Sequence, residues 1–155
     1  LDYQVSGWAR GEHSVEGVNT CAGPDQLDNF LQSTRVLVNT LPLTDDTRNI
    51  IDYGLLSRLQ PDAVLINVGR GEHLVEDDLL RALDDGTLLR ASLDVFRTEP
   101  LPEEHPFWQR KEITVTPHIS ARTLRDATIG QITGKIRDHA QGRAITGIVD
   151  TKRGY

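Results

Sequence analysis

Four polar side chains follow apolar runs of the sequence in an order that suits carbonyl chemistry. Along the chain they are Arg70, Asp94, Glu99 and His118. A guanidinium can bind both oxygens of a carboxylate, and an imidazole can donate or accept a proton near neutral pH. A neighbouring carboxylate orients an imidazole and stabilises its protonated form. The set therefore predicts a site that binds an anionic carbonyl compound and protonates its oxygen.

Each of these residues, taken alone, also has an ordinary structural interpretation. Arg70 could be a solvated loop arginine, and His118, which follows a proline, could be a surface histidine. Glu99 beside prolines could be a loop acid, and an aspartate at the end of a strand, such as Asp94, often forms a turn. The chemical interpretation depends on the whole set in this order on one scaffold.

The run that must position Arg70 is residues 63–72, AVLINVGRGE. A continuous apolar run of this length predicts a strand over 63–68 that is buried on both faces, as in parallel sheets. The glycines at 69 and 71 allow the backbone to leave the strand sharply. Arg70 is then held at the carboxyl end of the strand, where ligands bind in open α/β sheets.

Apolar periodicity predicts alternating strands and helices along the rest of the chain. The other predicted strands are residues 1–8, a second buried strand over 35–40, 88–96 and 113–116. The predicted helices are a short one after the turn at 23–25 with Asp25 as its cap, 52–59, 76–85 ended by Gly86, and 121–141 ended by Gly142. This alternation with short connections predicts an α/β fold with a parallel sheet.

The composition is that of a folded domain. Of the 155 residues, 37% are hydrophobic and 26% are charged, and the formal net charge is -6. The acidic balance argues against nucleic acid and anionic membranes as partners. The single cysteine, Cys21, excludes an intrachain disulfide and favours a cytoplasmic setting. No apolar stretch is long enough to span a bilayer.

Several contiguous motifs resemble the D-isomer-specific 2-hydroxyacid dehydrogenases. They are LPLTDDTRNII, VLINVGRG, VEDDLLRALDDG, LDVFRTEPLP and TPHIS, and together they cover most of the chain. The shorter motifs WAR, HPFWQ and the terminal RGY resemble the bacterial branch of this family that reduces glyoxylate and hydroxypyruvate.

The resemblance implies a Rossmann-like fold, a nicotinamide cofactor and an activity. Hydride would pass to the keto carbon of a small 2-oxo acid, which gives a 2-hydroxy acid such as glycolate or glycerate. Arg70 would bind the carboxylate and the keto oxygen, and His118, assisted by Glu99, would protonate that oxygen. Asp94 would face the nicotinamide carboxamide. The residues expected to contact the cofactor are Arg10, Leu41, Pro42, Val68 and Asp94, and no metal is expected. The resemblance also implies a homodimer for the intact enzyme.

Charge at the end of one strand favours NADP over NAD. NAD-binding versions of this fold place an acid at the end of the second strand to hold the ribose hydroxyls. That position is Ala9 here, and Arg10 follows it. No carboxylate is present to repel a 2′-phosphate, and a guanidinium is present to bind one. The alternative is that Arg10 is solvated and that cofactor selectivity is slight.

The dinucleotide fingerprint G-x-G-x-x-G does not occur in this sequence. Residues 69–74 imitate its first half, but they end in Leu74 and contain Arg70. The sequence has no methionine and begins within a predicted strand. We therefore interpret 1–120 as a partial dinucleotide-binding domain and 121–155 as a helix and tail that return to the substrate domain. The sheet is expected to lack its central first strand and the phosphate-binding turn, and this chain alone is expected to be inactive.

Two other functions remain open at this point. A non-catalytic module of the same fold could sense a dinucleotide and recruit other proteins, since such a module can retain the catalytic residues. An inert fragment of an enzyme would have the same motifs. Turnover and dinucleotide binding, measured separately, discriminate between these possibilities.

Overall fold

The chain alternates short strands and helices through the residues that the structure, a computed structural model, describes: 3–121, 123–149 and 151. The strands are β1 (Ser6–Ala9), β2 (Asn19–Ala22), β3 (Val36–Asn39), β4 (Val64–Asn67), β5 (Arg90–Leu93) and β6 (Ile113–Val115). The α-helices are α1 (Leu27–Gln32), α2 (Tyr53–Leu56), α3 (Glu76–Asp84) and α4 (Arg125–Ala140). Short 3-10 helices occupy Pro24–Gln26, Gly71–His73 and Pro106–Gln109. The predicted α/β architecture is confirmed.

The strands form two parallel sheets. One has four strands in the order β3-β4-β5-β6, and the other is the pair β1-β2. Within the described residues no strand pairing joins the two sheets, so the prediction of an incomplete sheet is confirmed. A cavity of about 230 Å³ lies between the two sheets, lined among others by Trp8 of β1, Leu31 of α1 and Val38 of β3.

The hydrophobic core lies under the larger sheet. Leu65 of β4 and Leu93 of β5 are fully buried, and Leu79 of α3 and Phe107 pack into the same cluster. Helix α3 has its predicted form, with three acids in its first turn, where their negative charges interact favourably with the positive end of the helix dipole. Gly86, at φ 78°, follows the end of α3.

The prediction that residues 35–40 form a fully buried strand was wrong. β3 buries Leu37 and Asn39, but Val36 and Val38 are 53% and 51% exposed. The apolar run of β3 is therefore covered on one face only by the described part of the chain. In β4 the side chains alternate between buried and half-buried, so that strand is covered more fully than β3.

Several local predictions differ from the structure. Asp25 does not cap α1, because it lies inside the preceding 3-10 helix. Strand β2 is absent from the predicted elements, since its sequence NTCA has little apolar character. Helix α2 is one turn long and is capped by Asp52, whose carboxylate accepts from the Leu55 amide at 2.7 Å.

The C-terminal helix is much less buried than the others. α4 buries none of its side chains, and Ile129, Ile132 and Ile136 are between 49% and 63% exposed. Residues 1–2 of the predicted first strand and the RGY motif at 153–155 lie outside the described residues. Among the helices in the described ranges, none is long and apolar enough to cross a membrane.

Candidate active site

The predicted site residues follow the carboxyl ends of parallel strands. Arg70 follows β4, Asp94 directly follows β5, and His118 comes three residues after β6. Because the four strands of this sheet are parallel, their carboxyl ends lie along one edge. The loops at this edge also contact one another directly.

Glu99 and His118 form a hydrogen-bonded pair. The His118 Nδ1 lies 2.8 Å from one Glu99 carboxylate oxygen, and the other oxygen accepts from the Phe96 amide at 3.0 Å. The hydrogen bond with His118, followed by that from Phe96, lowers the pKa of Glu99. Glu99 is therefore ionised at neutral pH and holds Nδ1 of the imidazole, which leaves Nε2 as the ring nitrogen for other contacts.

Asp94 holds the loop that carries His118. Its buried carboxylate accepts from the Thr116 hydroxyl at 2.5 Å and from the amides of Ile119 and Ser120, each at 2.9 Å. Burial acts to raise the pKa of Asp94, but these hydrogen bonds outweigh it and hold the pKa well below the usual range. The ionised carboxylate thus holds the Thr116 side chain before His118 and the backbone of Ile119 and Ser120 after it.

The backbone at His118 adopts the left-handed region, with φ at 53°. This conformation is uncommon for a residue with a side chain. The His118 amide donates to the Asp94 carbonyl at 2.9 Å, which helps to keep the turn in this conformation. The loop is thereby bonded to the end of β5 through both the backbone and the side chain of Asp94.

A cleft of about 440 Å³ opens beside the Glu99–His118 pair. Its lining is mainly apolar and consists of Phe96, Glu99, Pro100, Leu101, Trp108, Val115, Pro117 and His118. An apolar wall with a few polar groups is typical of small-molecule sites. Glu99 and His118 are the ionisable side chains of this wall.

Arg70 lies in a loop that packs against the segment leading to Glu99. Its guanidinium is exposed and donates to the Gly69 carbonyl at 2.7 Å. A Cβ at Gly71 would lie 1.9 Å from the Phe96 carbonyl carbon, and a Cβ at Gly69 would lie 2.8 Å from the Asn39 amide nitrogen. The chain bends at Gly69 after β4, as expected, but neither glycine uses a positive φ, so close packing is what requires glycine at both positions.

The predicted cofactor residues follow β1, β3, β4 and β5. An ion pair of 3.4 Å joins the exposed Arg10 to Asp46, in the loop after β3. In the same loop the Leu41 amide donates to the Asn39 side chain at 3.2 Å, and the Pro42 carbonyl lies 3.3 Å from Nε2 of His73. Val68 extends β4 and donates to the Asn39 carbonyl at 3.2 Å. Arg10, Leu41 and Pro42 are therefore grouped around one loop.

Three buried polar residues at this edge are missing from the residues that the sequence singles out. They are Asn39, Asn67 and His73. Asn39 and Asn67 are paired in register as the last residues of β3 and β4. An asparagine at the end of each of two neighbouring apolar strands is a sequence signal that could have identified Asn39 and Asn67. Within the described residues no group of three or more His, Cys, Asp or Glu side chains could hold a metal ion.

Comparison with known proteins identifies the family. The family model of the D-isomer specific 2-hydroxyacid dehydrogenase, NAD binding domain, matches residues 1–120. The chain belongs to this family. The glyoxylate/hydroxypyruvate reductase A of Photorhabdus laumondii is 49% identical over 148 residues, which are 96% of this chain and 47% of that protein. The corresponding protein of Serratia proteamaculans is 46% identical over 99% of this chain and 49% of its own length.

Solved structures of the D-isomer specific 2-hydroxyacid dehydrogenase family have the same fold. A member from Xanthobacter autotrophicus in complex with NADPH and MES has a TM-score of 0.93 and is 37% identical, over 99% of this chain and 63% of that chain. An NADPH-dependent glyoxylate/hydroxypyruvate reductase from Sinorhizobium meliloti in complex with NADP and sulfate has a TM-score of 0.92 and is 40% identical, over 99% and 50% of the two chains. The chain spans about half the length of the curated relatives it matches.

Proposed function

We propose that the protein is an oxidoreductase that transfers hydride from NADPH to a small 2-oxo acid, with glyoxylate and hydroxypyruvate as the leading substrates. The observation that carries this proposal is the hydrogen-bonded Glu99–His118 pair on the wall of an apolar cleft. Curated relatives at 46–49% identity that carry the name glyoxylate/hydroxypyruvate reductase A support the substrate class.

In this proposal each site residue has one task in the reduction. His118 donates the proton that the keto oxygen takes up, and the ionised Glu99 orients the imidazole. Arg70 binds the substrate carboxylate through its guanidinium, whose planar fork matches two oxygens. The nicotinamide ring supplies the hydride when the cofactor is bound. The apolar wall, which includes Trp108, excludes water from the reacting carbonyl.

The residues around the loop after β3 fit a dinucleotide that carries a 2′-phosphate. We assign the phosphate to Arg10, whose partner Asp46 is 79% exposed and can be displaced by a stronger anion. Leu41, Pro42 and Val68 would line the cofactor. Asp94 would face the carboxamide with the carboxylate oxygen that accepts from the Ser120 amide. NADP-bound relatives support this choice of cofactor.

His118→Gln in the full-length protein tests the proposed reaction. We expect kcat/KM for glyoxylate to fall by about 100- to 10,000-fold, the usual contribution of a general acid. The Kd for NADPH, measured by fluorescence, should stay within about twofold, because Gln retains a polar side chain of similar length. His139→Gln, at an exposed histidine of α4, is the matched control and should leave both values unchanged.

Two results would overturn the proposed reaction. A wild-type protein that binds NADPH but reduces no 2-oxo acid would be a dinucleotide-sensing module instead. A His118→Gln variant with unchanged turnover would exclude this imidazole as the proton donor.

Arg10→Ser tests the assignment of the 2′-phosphate. We expect the efficiency with NADPH to fall about tenfold or more, since a hydrogen bond between charged groups is lost, while the efficiency with NADH is unchanged. Arg58→Ser is a suitable control, because Arg58 also forms an exposed ion pair with an aspartate, Asp28. Equal wild-type efficiencies with NADPH and NADH would contradict the assignment.

Three further expectations belong to this proposal. The 155-residue chain alone should show negligible turnover, because its sequence contains no G-x-G-x-x-G turn to hold the pyrophosphate. The division into a cofactor part, 1–120, and a part that returns to the substrate domain, 121–155, stays a prediction. So do the homodimer and the cytoplasmic location.

A further inference from the structure

A buried polar cluster joins the loop after β3 to the loop that carries Arg70. Its centre is His73, whose side chain is fully buried. Nδ1 of His73 lies 3.1 Å from the Arg70 amide nitrogen and 2.9 Å from the Asn39 amide nitrogen. Nε2 lies 3.3 Å from the Pro42 carbonyl oxygen. The proposed reaction assigns no task to this histidine.

The partners of His73 determine its proton positions. The Arg70 backbone N–H can only donate, so Nδ1 must be the acceptor. The Pro42 carbonyl can only accept, so Nε2 must carry the proton. These two contacts therefore require a neutral imidazole with its hydrogen on Nε2.

The two asparagines agree with this assignment. The Asn39 oxygen accepts from the Leu41 amide at 3.2 Å, which leaves its NH₂ group to donate to His73 and, at 2.8 Å, to the Asn67 oxygen. The Asn67 oxygen also accepts from the Gly69 amide at 3.2 Å, and its NH₂ group donates to the Arg70 carbonyl at 3.1 Å. Every donor group in the cluster thus meets an acceptor, and both the N–H and the C=O of Arg70 are bonded to the cluster.

The surroundings favour the neutral form. Burial lowers the pKa of His73 and outweighs the hydrogen bonds with the Pro42 and Arg70 backbones and the charge of Glu72, which all act in the opposite direction. The positive charge of Arg70 also lowers this pKa. A second proton would place an N–H on Nδ1 against two N–H donors, which would break both contacts with the Arg70 loop.

We propose that neutral His73 is a positioning residue that fixes the backbone of Arg70 with Nδ1 and the Pro42 loop with Nε2–H. This inference rests on the proposed function, in which Arg70 binds the substrate carboxylate and Pro42 lies in the cofactor loop. The two ring nitrogens then serve different ligands. Nδ1 positions Arg70, which binds the substrate, and Nε2–H positions the Pro42 loop, which lines the dinucleotide.

Two substitutions separate the two sides of the ring. His73→Leu removes both hydrogen-bonding groups. His73→Asn retains an oxygen at about the position of Nδ1, which can accept from Arg70, but it has nothing that reaches Pro42. Leu79→Ala is the control for lost core packing, because Leu79 of α3 is as buried as His73 and forms no part of the cluster.

In the full-length protein, we expect the two substitutions to affect the KM for glyoxylate and the Kd for NADPH differently. His73→Leu should raise the KM for glyoxylate about 10- to 100-fold, the loss expected when the charge-assisted hydrogen bonds of Arg70 with the carboxylate are misaligned. His73→Asn should restore this KM to near the wild-type value and still weaken NADPH binding about two- to tenfold. Leu79→Ala should lower the thermal midpoint but change neither constant at a temperature where the protein is folded.

A structural readout tests the proposal without any activity. In protein labelled with ¹⁵N-histidine, the long-range ¹⁵N–¹H spectrum of His73 should show the proton on Nε2 and no titration between about pH 5 and 8. An Nδ1–H tautomer or a charged ring in that range would overturn the proposal, whether or not the enzyme turns over.

The remaining outcomes are also decisive. If His73→Leu loses glyoxylate and NADPH affinity no more than Leu79→Ala does, His73 is only a packing residue and the proposal fails. If His73→Asn does not rescue the KM, the Nδ1 contact is not what positions Arg70. A wild-type protein with the expected tautomer but without reductase activity would refute the proposed function and leave the backbone role of His73 intact.

Discussion

Asp94 stabilises more of the surrounding structure than its position at the end of a strand indicates. Its two oxygens accept three hydrogen bonds from the segment 116–120, which contains His118. The family resemblance predicts a cofactor contact for Asp94, and that contact stays a prediction. The bonds to the His118 loop give Asp94 a structural task that does not depend on any ligand.

Asp94→Asn should destabilise the protein by about 1–3 kcal/mol at pH 7, because the amide NH₂ group would face a backbone N–H that loses its acceptor. Urea unfolding measures this change. The same substitution at the exposed Asp45 should change stability by less than about 0.5 kcal/mol. Equal effects at the two positions would contradict the role assigned to Asp94.

The stabilisation by Asp94 should also depend on pH. Because its pKa is lower in the folded state than in the unfolded chain, the contribution is complete above about pH 4 and is lost as the pH falls through the folded pKa. Wild-type stability should therefore decline below about pH 4, and Asp94→Asn should remove part of that decline. Urea unfolding between about pH 2.5 and 7 measures both curves, and parallel curves would argue against the assignment.

At the scale of elements, the edge of the sheet depends on loops that pack backbone against backbone. The loop after β4 meets the loop after β5 at Gly71, with no room for a side chain. Arg97 bonds to the same loop, since its guanidinium donates to the Leu74 carbonyl at 2.6 Å and 2.9 Å. The loop that carries Arg70 is therefore held from the Phe96–Arg97 side as well as by His73.

Gly71→Ala should destabilise the protein by more than about 3 kcal/mol, because the new Cβ would overlap the Phe96 carbonyl and the backbone must move. Gly130→Ala is the matched control. Gly130 lies in α4, where a Cβ would have nothing within 4 Å, so alanine should stabilise the protein by about 0.5–1 kcal/mol. Thermal unfolding of both variants of the 155-residue chain measures the difference. A Gly71→Ala protein as stable as the wild type would show that the two loops can separate.

At the scale of the whole molecule, the two sheets differ in burial. No residue of β1 or β2 is fully buried, whereas β4 and β5 contain Leu65 and Leu93 at 0% exposure. Within the described residues, no strand of the small sheet pairs with β3 or with any other strand of the large sheet. The small sheet is held mainly by α1, which contacts both of its strands.

Hydrogen exchange followed by mass spectrometry should resolve this difference in the 155-residue chain. We expect peptides from β1 and β2 to exchange at least about tenfold faster than those from β4 and β5, because the pair can open without exposing the main core. Simultaneous exchange of all six strands would mean that the chain unfolds as one unit. The missing strand pairing between the two sheets would then not lower the stability of the smaller sheet.

The sequence alone determined the order of strands and helices, except for β2, and the residues that follow the predicted strands. Apolar runs at residues 63–68 and 113–116 end abruptly in polar or turn-forming residues, so the strand ends could be read directly. Since parallel strands bring their carboxyl ends to one edge, the convergence of Arg70, Asp94 and His118 on that edge follows from the pattern. The contiguous motifs then identified the family.

Only the tertiary structure decided which side chains meet at that edge and why. The Glu99–His118 bond joins residues 19 positions apart, and His73 bonds to Pro42 from 31 positions away. Such contacts depend on strand register and loop path, which local periodicity does not contain. The same holds for Gly71, whose role is set by the distant Phe96 backbone, and for β3, whose exposed face depends on what packs against it.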